Sequence, residues 1–248
     1  MKRPWGAVMA MAMAAGCGGG PKPPPPVVPI DPVLADAATD FRAGRCKRAQ
    51  AGLSRAVGEL PAQDPRVAEA MYQLAECDFG AGLYLEASRQ FRRVADGHGG
   101  HPLAPDALLR AGDALAELWK HPELDPLYGE SAVAIYRELI ARFPTSRAAA
   151  RAGIKLAALD DRFAEKDYLN GVFYYRLRAY DSAIIYFRSV VANHAQSRFA
   201  ALALLRLVQA YRIIGYAEEE RETCEHLRRY YPDAEGLGDT CPPSVGTP

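Results

Sequence analysis

The sequence predicts an all-α solenoid of about five stacked helix pairs, and three observations carry that prediction. The first is a spacing pattern that recurs five times. A turn position is followed five residues later by a small residue in four of the five copies, four further on by a bulkier and mostly apolar one, and eight beyond that by Pro or Gly, again in four of the five. The runs are Gly44, Ala49, Leu53, Pro61; Gly82, Ala87, Phe91, Gly99; Leu127, Ala132, Tyr136, Pro144; Arg178, Ala183, Phe187, Ala195; and Gly215, Glu220, Cys224, Pro232. The second is composition: 49% of residues are hydrophobic and 24% charged, with Ala, Leu and Arg abundant, a mixture that favours helix. The third is physical. A helix pair of this size cannot bury its own apolar face and must stack on the next pair, so the product is an extended binding surface.

Each element follows from local chemistry. Pro21, Pro23 to Pro26, Pro29 and Pro32 forbid helix and favour an extended spacer over residues 17–32. Helical patterning then runs from Val33 to Arg42 and from Cys46 to Leu60, closed by Pro61. A second pair spans Arg66 to Ala81 and Leu85 to Asp96, ended by Gly97-His98-Gly99-Gly100. A third spans Pro105 to Trp119 and Tyr128 to Phe143, with an enlarged loop between. Thr145 or Ser146 is placed to cap a long helix running to about Tyr175, whose partner is Ala183 to Asn193. Ser197 to Ile214 and Ala217 to Tyr231 make the fifth pair. The organisation is therefore a signal segment over 1–16, a tether over 17–32, a repeat domain over 33–231 and a flexible tail over 232–248.

Within the pairs, Ala37, Ala75 and Gly171 stand twelve residues before Ala49, Ala87 and Ala183, where a first helix lets a second approach. Leu53, Phe91, Tyr136 and Phe187 fill the space between neighbours. Small, aromatic and proline residues at these offsets resemble the tetratricopeptide repeat, although the turn-to-turn spacings all exceed its usual period of about 34 residues. The excess falls in the connections and in the long helix of the fourth pair.

Lys plus Arg equals Asp plus Glu, 30 against 30, so no electrostatic case exists for nucleic-acid binding. At the N-terminus, Lys2 and Arg3 precede the apolar stretch Trp5 to Ala15, and Ala14-Ala15-Gly16-Cys17 follows. Small residues directly before a Cys resemble the bacterial lipobox, with Ala14 where Leu is usual, and imply lipidation at Cys17. The alternative is an ordinary secretory signal cut after Ala12 to Ala14, leaving Cys17 a plain thiol. Gly18 in place of Asp after the Cys points to the outer membrane. An exported chain meets oxidising conditions, so Cys46, Cys77, Cys224 and Cys241 can form bridges in three pairings or remain thiols. Cys46–Cys77 and Cys224–Cys241 are favoured, because each joins elements expected to be neighbours.

No motif for catalysis, phosphate binding or a cofactor occurs, and the chain is expected not to be an enzyme. His98 and His101 lie in a glycine-rich loop with too few ligands nearby for zinc, so no metal is expected. Asp160 and Asp161 do not face each other on a helix and read as a solvated face paired with Arg162 or Lys166. If first helices line a concave wall against which an extended peptide lies, Tyr72, Gln73, Arg110 and Trp119 are the peptide-binding candidates.

One stretch narrows the reading. Phe143-Pro144-Thr145-Ser146, the run Leu159 to Asp167, the cluster Phe173-Tyr174-Tyr175-Arg176, Ala179 to Ile184 and Leu202 to Tyr211 occur in an order that resembles the BamD family of lipoproteins of the outer-membrane β-barrel assembly machinery. The likeness is best over residues 130–231. It implies a periplasmic scaffold, lipid-anchored to the outer membrane. The later repeats would bind the barrel-embedded insertase and other assembly-machinery lipoproteins; the earlier ones would bind unfolded outer-membrane proteins. Tyr180 and Tyr186 are then the partner-binding candidates. Ile185 and Tyr186 stand where a polar or basic residue is expected, Ala195 replaces a closing proline, and Glu220 replaces a small residue. The rival reading is a general cell-envelope scaffold of the same fold.

Overall fold

The computed structural model describes residues 29–241, and those residues form eleven helices and no strand. The five pairs are α1 (Ile30–Arg42) with α2 (Cys46–Glu59), α3 (Pro65–Gly80) with α4 (Tyr84–Gly97), α5 (Ala104–Leu118) with α6 (Leu127–Arg142), α7 (Arg147–Arg176) with α8 (Tyr180–Asn193), and α9 (Phe199–Ile214) with α10 (Ala217–Tyr230). Each helix packs chiefly on its neighbours in sequence, as a solenoid requires. Cys17, the signal segment and most of the tether lie outside the described residues.

The recurring turn position has a backbone cause. Gly44, Gly82, Gly215 and Arg178 all adopt positive φ, at 72°, 78°, 80° and 61°. A left-handed residue lets a helix stop and reverse, and glycine does so without a Cβ penalty. Arg178 takes the same conformation against its own preference. Leu127 does not, because the third pair replaces the tight turn with the longer connection from Trp119 to Pro126. The predicted cap is real at Ser146, which accepts from the Ala149 N–H at 3.0 Å, and Asp64, which the sequence reading did not single out, caps α3 by accepting from the Arg66 N–H at 2.9 Å.

Small residues do set the close approaches, with different partners from those expected. Gly171 faces the ring of Phe187 rather than Ala183, and a Cβ there would lie 2.5 Å from it. Gly112 receives the ring of Tyr136 in the same way, at 2.4 Å. Ala37 meets Gly52 of α2, whose added Cβ would stand 2.7 Å away. Leu53, Phe91, Tyr136 and Phe187 are all fully buried.

The core divides into three clusters. One joins the first pair to Ala70 of α3. A second fills the next two pairs and ends on α7 at Leu159. The third begins on α7 at Ala164 and extends to Leu227 and Cys241. At 30 residues, about 45 Å, α7 is shared by the last two. Helix α8 starts three residues before the expected Ala183, and α1 starts at Ile30 rather than Val33.

Cys46 and Cys77 are bonded, with a Cα–Cα separation of 5.4 Å, and Cys224 and Cys241 are bonded at 5.6 Å. The first joins α2 to α3 and the second ties the tail to α10. The described part of the tail, to Cys241, is more ordered than the sequence implied: α11 (Leu237–Thr240) follows Gly236, and Arg212 and Arg228 donate to the carbonyls of Thr240 and Cys241. These bridges brace the two ends of the solenoid, where a repeat has only one neighbour. Replacing Cys46 and Cys77 by Ala is expected to cost about 2–4 kcal/mol. Hydrogen exchange should show the loss concentrated in α1 and α2, with α8 to α10 unchanged.

Candidate polypeptide-binding surfaces

Two surfaces combine exposed aromatic or apolar groups with charge. The first is a groove of about 410 Å³ along the first helices, lined by Phe79 of α3, Arg110, Asp113 and Glu117 of α5, and Lys155 and Arg162 of α7. Helical spacing explains the set: Arg110, Asp113 and Glu117 recur at three and four residues and so share one face.

The groove is organised around Arg110. Its guanidinium forks onto Glu76 through Nε and Nη2 at 2.6 and 2.7 Å, and lies over the Phe79 ring at 3.9 Å from the centroid. Asp113 accepts from the Tyr136 hydroxyl at 2.8 Å and pairs with Lys155 at 3.3 Å. Burial opposes the Arg110 charge, but the carboxylates of Glu76 and Asp113 outweigh it and raise its pKa. Burial, aided by Asp113, pushes the Tyr136 hydroxyl well above its usual value. Burial and the Glu76 carboxylate do the same to Tyr72, whose ring meets Phe91 edge-on. The groove therefore presents the Arg110 cation among carboxylates, with the Tyr136 phenol neutral and buried beneath it.

Of the four wall candidates, the structure brings Tyr72 and Arg110 together and separates the other two. Gln73 is half-buried, and its Oε1 is sealed away without a donor among the described residues. Trp119 is corrected outright: it is fully buried and cannot face a peptide. It caps the end of α5, with its ring against Gly129 of α6 and 4.5 Å from the Phe163 ring. The enlarged loop folds over it, held by Arg162 donating to the Trp119 carbonyl at 2.5 Å and Lys166 donating to the carbonyls of Pro122 and Leu124.

That bracing also corrects the reading of Asp160 and Asp161, whose partners are not Arg162 and Lys166. Asp160 pairs with His194 Nδ1 at 2.7 Å, and Asp161 accepts from the Arg198 backbone N–H at 3.1 Å. The acidic pair pins the α8–α9 connection to α7. His101 has a local task as well, its Nδ1 accepting from the Leu103 N–H.

The second surface is an aromatic edge on the fourth pair. Tyr186 stacks on Tyr174 at 5.4 Å, and Tyr180 meets Tyr175 edge-on at 5.3 Å. Both partner-binding candidates are half-buried in this cluster. Phe173, Leu177 and Ile185 stand exposed around it, at 58, 62 and 68%. Phe173 and Leu177 were missed because an aromatic cluster and a leucine at a helix end read as repeat packing, whereas both side chains are exposed. Glu76, Asp113 and Lys155 were missed because carboxylates and lysines on amphipathic helices read as solvated until neighbouring repeats bring them together.

Among the described residues, no helix is long and apolar enough to cross a membrane. A likeness of fold is seen to a thermophilic TPR protein of Thermus thermophilus, 20% identical, covering 84% of this chain and 95% of that one with a TM-score of 0.38. The chain is 28% identical over 149 residues to the outer membrane protein assembly factor BamD of Caulobacter vibrioides, covering 60% of this chain and 49% of that protein. It is 27% identical over 99 residues to BamD of Rickettsia prowazekii, covering 40% and 39%. The matched stretch thus spans half or less of the length of these curated relatives. The family model described as YfiO, outer membrane lipoprotein, matches residues 31–227, which include both surfaces. All of the solenoid but Ile30 and the last three residues of α10 therefore sits inside that match, the groove included, and the chain belongs to the YfiO family of outer membrane lipoproteins.

Proposed function

We propose that this chain is an outer membrane protein assembly factor: a non-enzymatic, lipid-anchored scaffold on the periplasmic face of the outer membrane that helps insert β-barrel proteins. The family match over residues 31–227 carries the reading, since it covers every helix pair. The relatives named BamD support it. The groove around Arg110 suits an unfolded barrel strand, whose alternating aromatic residues can lie on Phe79 and Tyr72 while its backbone and polar side chains meet Glu76, Asp113 and Lys155. The exposed edge of Phe173, Leu177 and Ile185 suits a folded partner, the barrel-embedded insertase or another lipoprotein of the machinery.

Recovery of a barrel-embedded insertase with the detergent-solubilised protein tests the proposal, and its absence would remove it. The anchor is tested separately. Lipidation at Cys17 would hold the protein through two or three acyl chains at about 0.8 kcal/mol per buried CH₂. Cys17→Ser is therefore expected to move the protein from the membrane to the soluble periplasmic fraction. Continued membrane recovery of that variant would leave the anchor elsewhere.

A further inference from the structure

We propose that the uncovered face of the first half of α7 docks a second copy of this chain, the two α7 helices running antiparallel about a two-fold axis at Ile154. The face exists because α7 is about twice as long as the other first helices, which have 13 to 16 residues. The side-chain contacts from α7 to α8 and α9 begin at Asp160, with His194, Arg198, Phe187 and Phe199 as partners. Before Asp160, one flank of α7 turns to α5 through Arg151–Asp106 at 3.1 Å and Lys155–Asp113 at 3.3 Å, while Ala148, Ala152 and Leu159 enter the core. The remaining face holds Ala150, Gly153, Ile154 and Ala157, all exposed, and Ile154 is 72% exposed, the largest value among the exposed large hydrophobics. Their three- and four-residue spacing makes a continuous apolar stripe. A Cβ at Gly153 would meet nothing within 4 Å, so open space borders the backbone.

Charge selects the occupant. Arg147 and Asp161 lie seven residues before and after Ile154, a spacing that keeps all three on one helix face. Each stands about 10.5 Å along the axis from Ile154. In an antiparallel pair with its two-fold at Ile154, Arg147 of each copy lies opposite Asp161 of the other, giving two equivalent ion pairs. A parallel pair would set Arg147 against Arg147. Arg147 is exposed and forms no ion pair with another described residue. Asp161 uses only Oδ1, on the Arg198 N–H, which leaves Oδ2 for a guanidinium. Alanine and glycine beside Ile154 allow the helix axes to approach to about 8 Å. A self-complementary patch of this kind is what a closed two-fold interface needs. Contact over a few turns of one helix lies at the small end of interface sizes, below about 1,200 Å², so the pair is weak and reversible.

The test uses the full-length, detergent-solubilised chain. Ile154→Cys should form a disulfide-linked dimer on non-reducing gels far faster than Ile185→Cys, an equally exposed position on another face. Arg147→Glu in the Ile154→Cys background should suppress that dimer. Adding Asp161→Arg should restore it, because the reversed charges again meet across the axis. Circular dichroism should be unchanged throughout: positions 147 and 154 are exposed, and Asp161→Arg gives up one hydrogen bond, from the Arg198 N–H, while the Asp160–His194 contact and the core between α7, α8 and α9 remain. Equal cross-linking at positions 154 and 185, a dimer indifferent to Arg147→Glu, failure of the double reversal to rescue, or capture of another protein at position 154 in place of a second copy would each overturn the proposal.

Discussion

Replacing Phe187 by Asp is expected to unfold the fourth and fifth helix pairs while leaving the first three folded. Phe187 is fully buried, its ring seated on the bare backbone of Gly171 and 5.7 Å from Tyr168. Losing a buried Phe costs about 3–5 kcal/mol, and a carboxylate left unpaired in the same space adds to that. Domains of ordinary stability have about 5–15 kcal/mol in total. The damage should stay local because the core is divided on α7 between Leu159 and Ala164, and a solenoid transmits stability only between neighbours. Limited proteolysis should then leave an N-terminal fragment ending near the middle of α7, and the helical signal should fall in part. The exposed aromatic edge of the fourth pair would lose its support, and partner recovery should be abolished. Phe187→Leu, which keeps most of the volume, should cost less than about 1.5 kcal/mol. A fully folded, partner-binding Phe187→Asp protein would show that this ring does not hold the pair together.

Arg110→Glu is expected to close the groove to polypeptide by setting a third carboxylate against Glu76 and Asp113. Removing one partner of a desolvated pair costs about 3–5 kcal/mol, and here the side chain is partly exposed, at 22%, which reduces the penalty. Arg110→Met separates folding from binding. It retains the apolar stem over Phe79 and leaves Glu76 and Asp113 without their shared cation, but adds no third carboxylate, so its melting temperature should fall less than that of Arg110→Glu and the helical fold should persist. Binding of a synthetic peptide with alternating aromatic residues should weaken about tenfold or more, the loss of one charge-assisted hydrogen bond worth about 1.5–3 kcal/mol. Peptide binding by Arg110→Met at the strength of the parent protein would remove this groove from the proposed function.

The elements most legible in the sequence were those with a local cause. The turn positions at Gly44, Gly82, Arg178 and Gly215 could be located because a chain reversal after a helix demands one left-handed residue, and the flanking spacing announces it. The Cys46–Cys77 bridge followed from adjacency of successive helices, and Cys224–Cys241 was the pair that remained. What escaped was what depends on contacts across repeats. Trp119 stands after a predicted helix end and looked available for a ligand, but Gly129, ten residues on, leaves a space only that ring fills. Asp160 has helical neighbours Arg162 and Lys166, yet both cations serve carbonyls in a loop some 40 residues earlier, a pairing no local spacing encodes. The Arg110 groove is half visible for the same reason: the cation and Tyr72 could be named, while Glu76, Asp113 and Lys155 needed three helices to be set side by side.

The uninterrupted α7 has a mechanical consequence. Between the Arg110 groove and the Tyr174–Tyr186 edge there is no loop to serve as a hinge, only one rod built into both halves. If the groove and the edge bind as proposed, their two ligands are kept at a set separation and orientation, as by the arms of a caliper. Whatever is handed between them must cross that gap by its own movement rather than by the scaffold swinging shut.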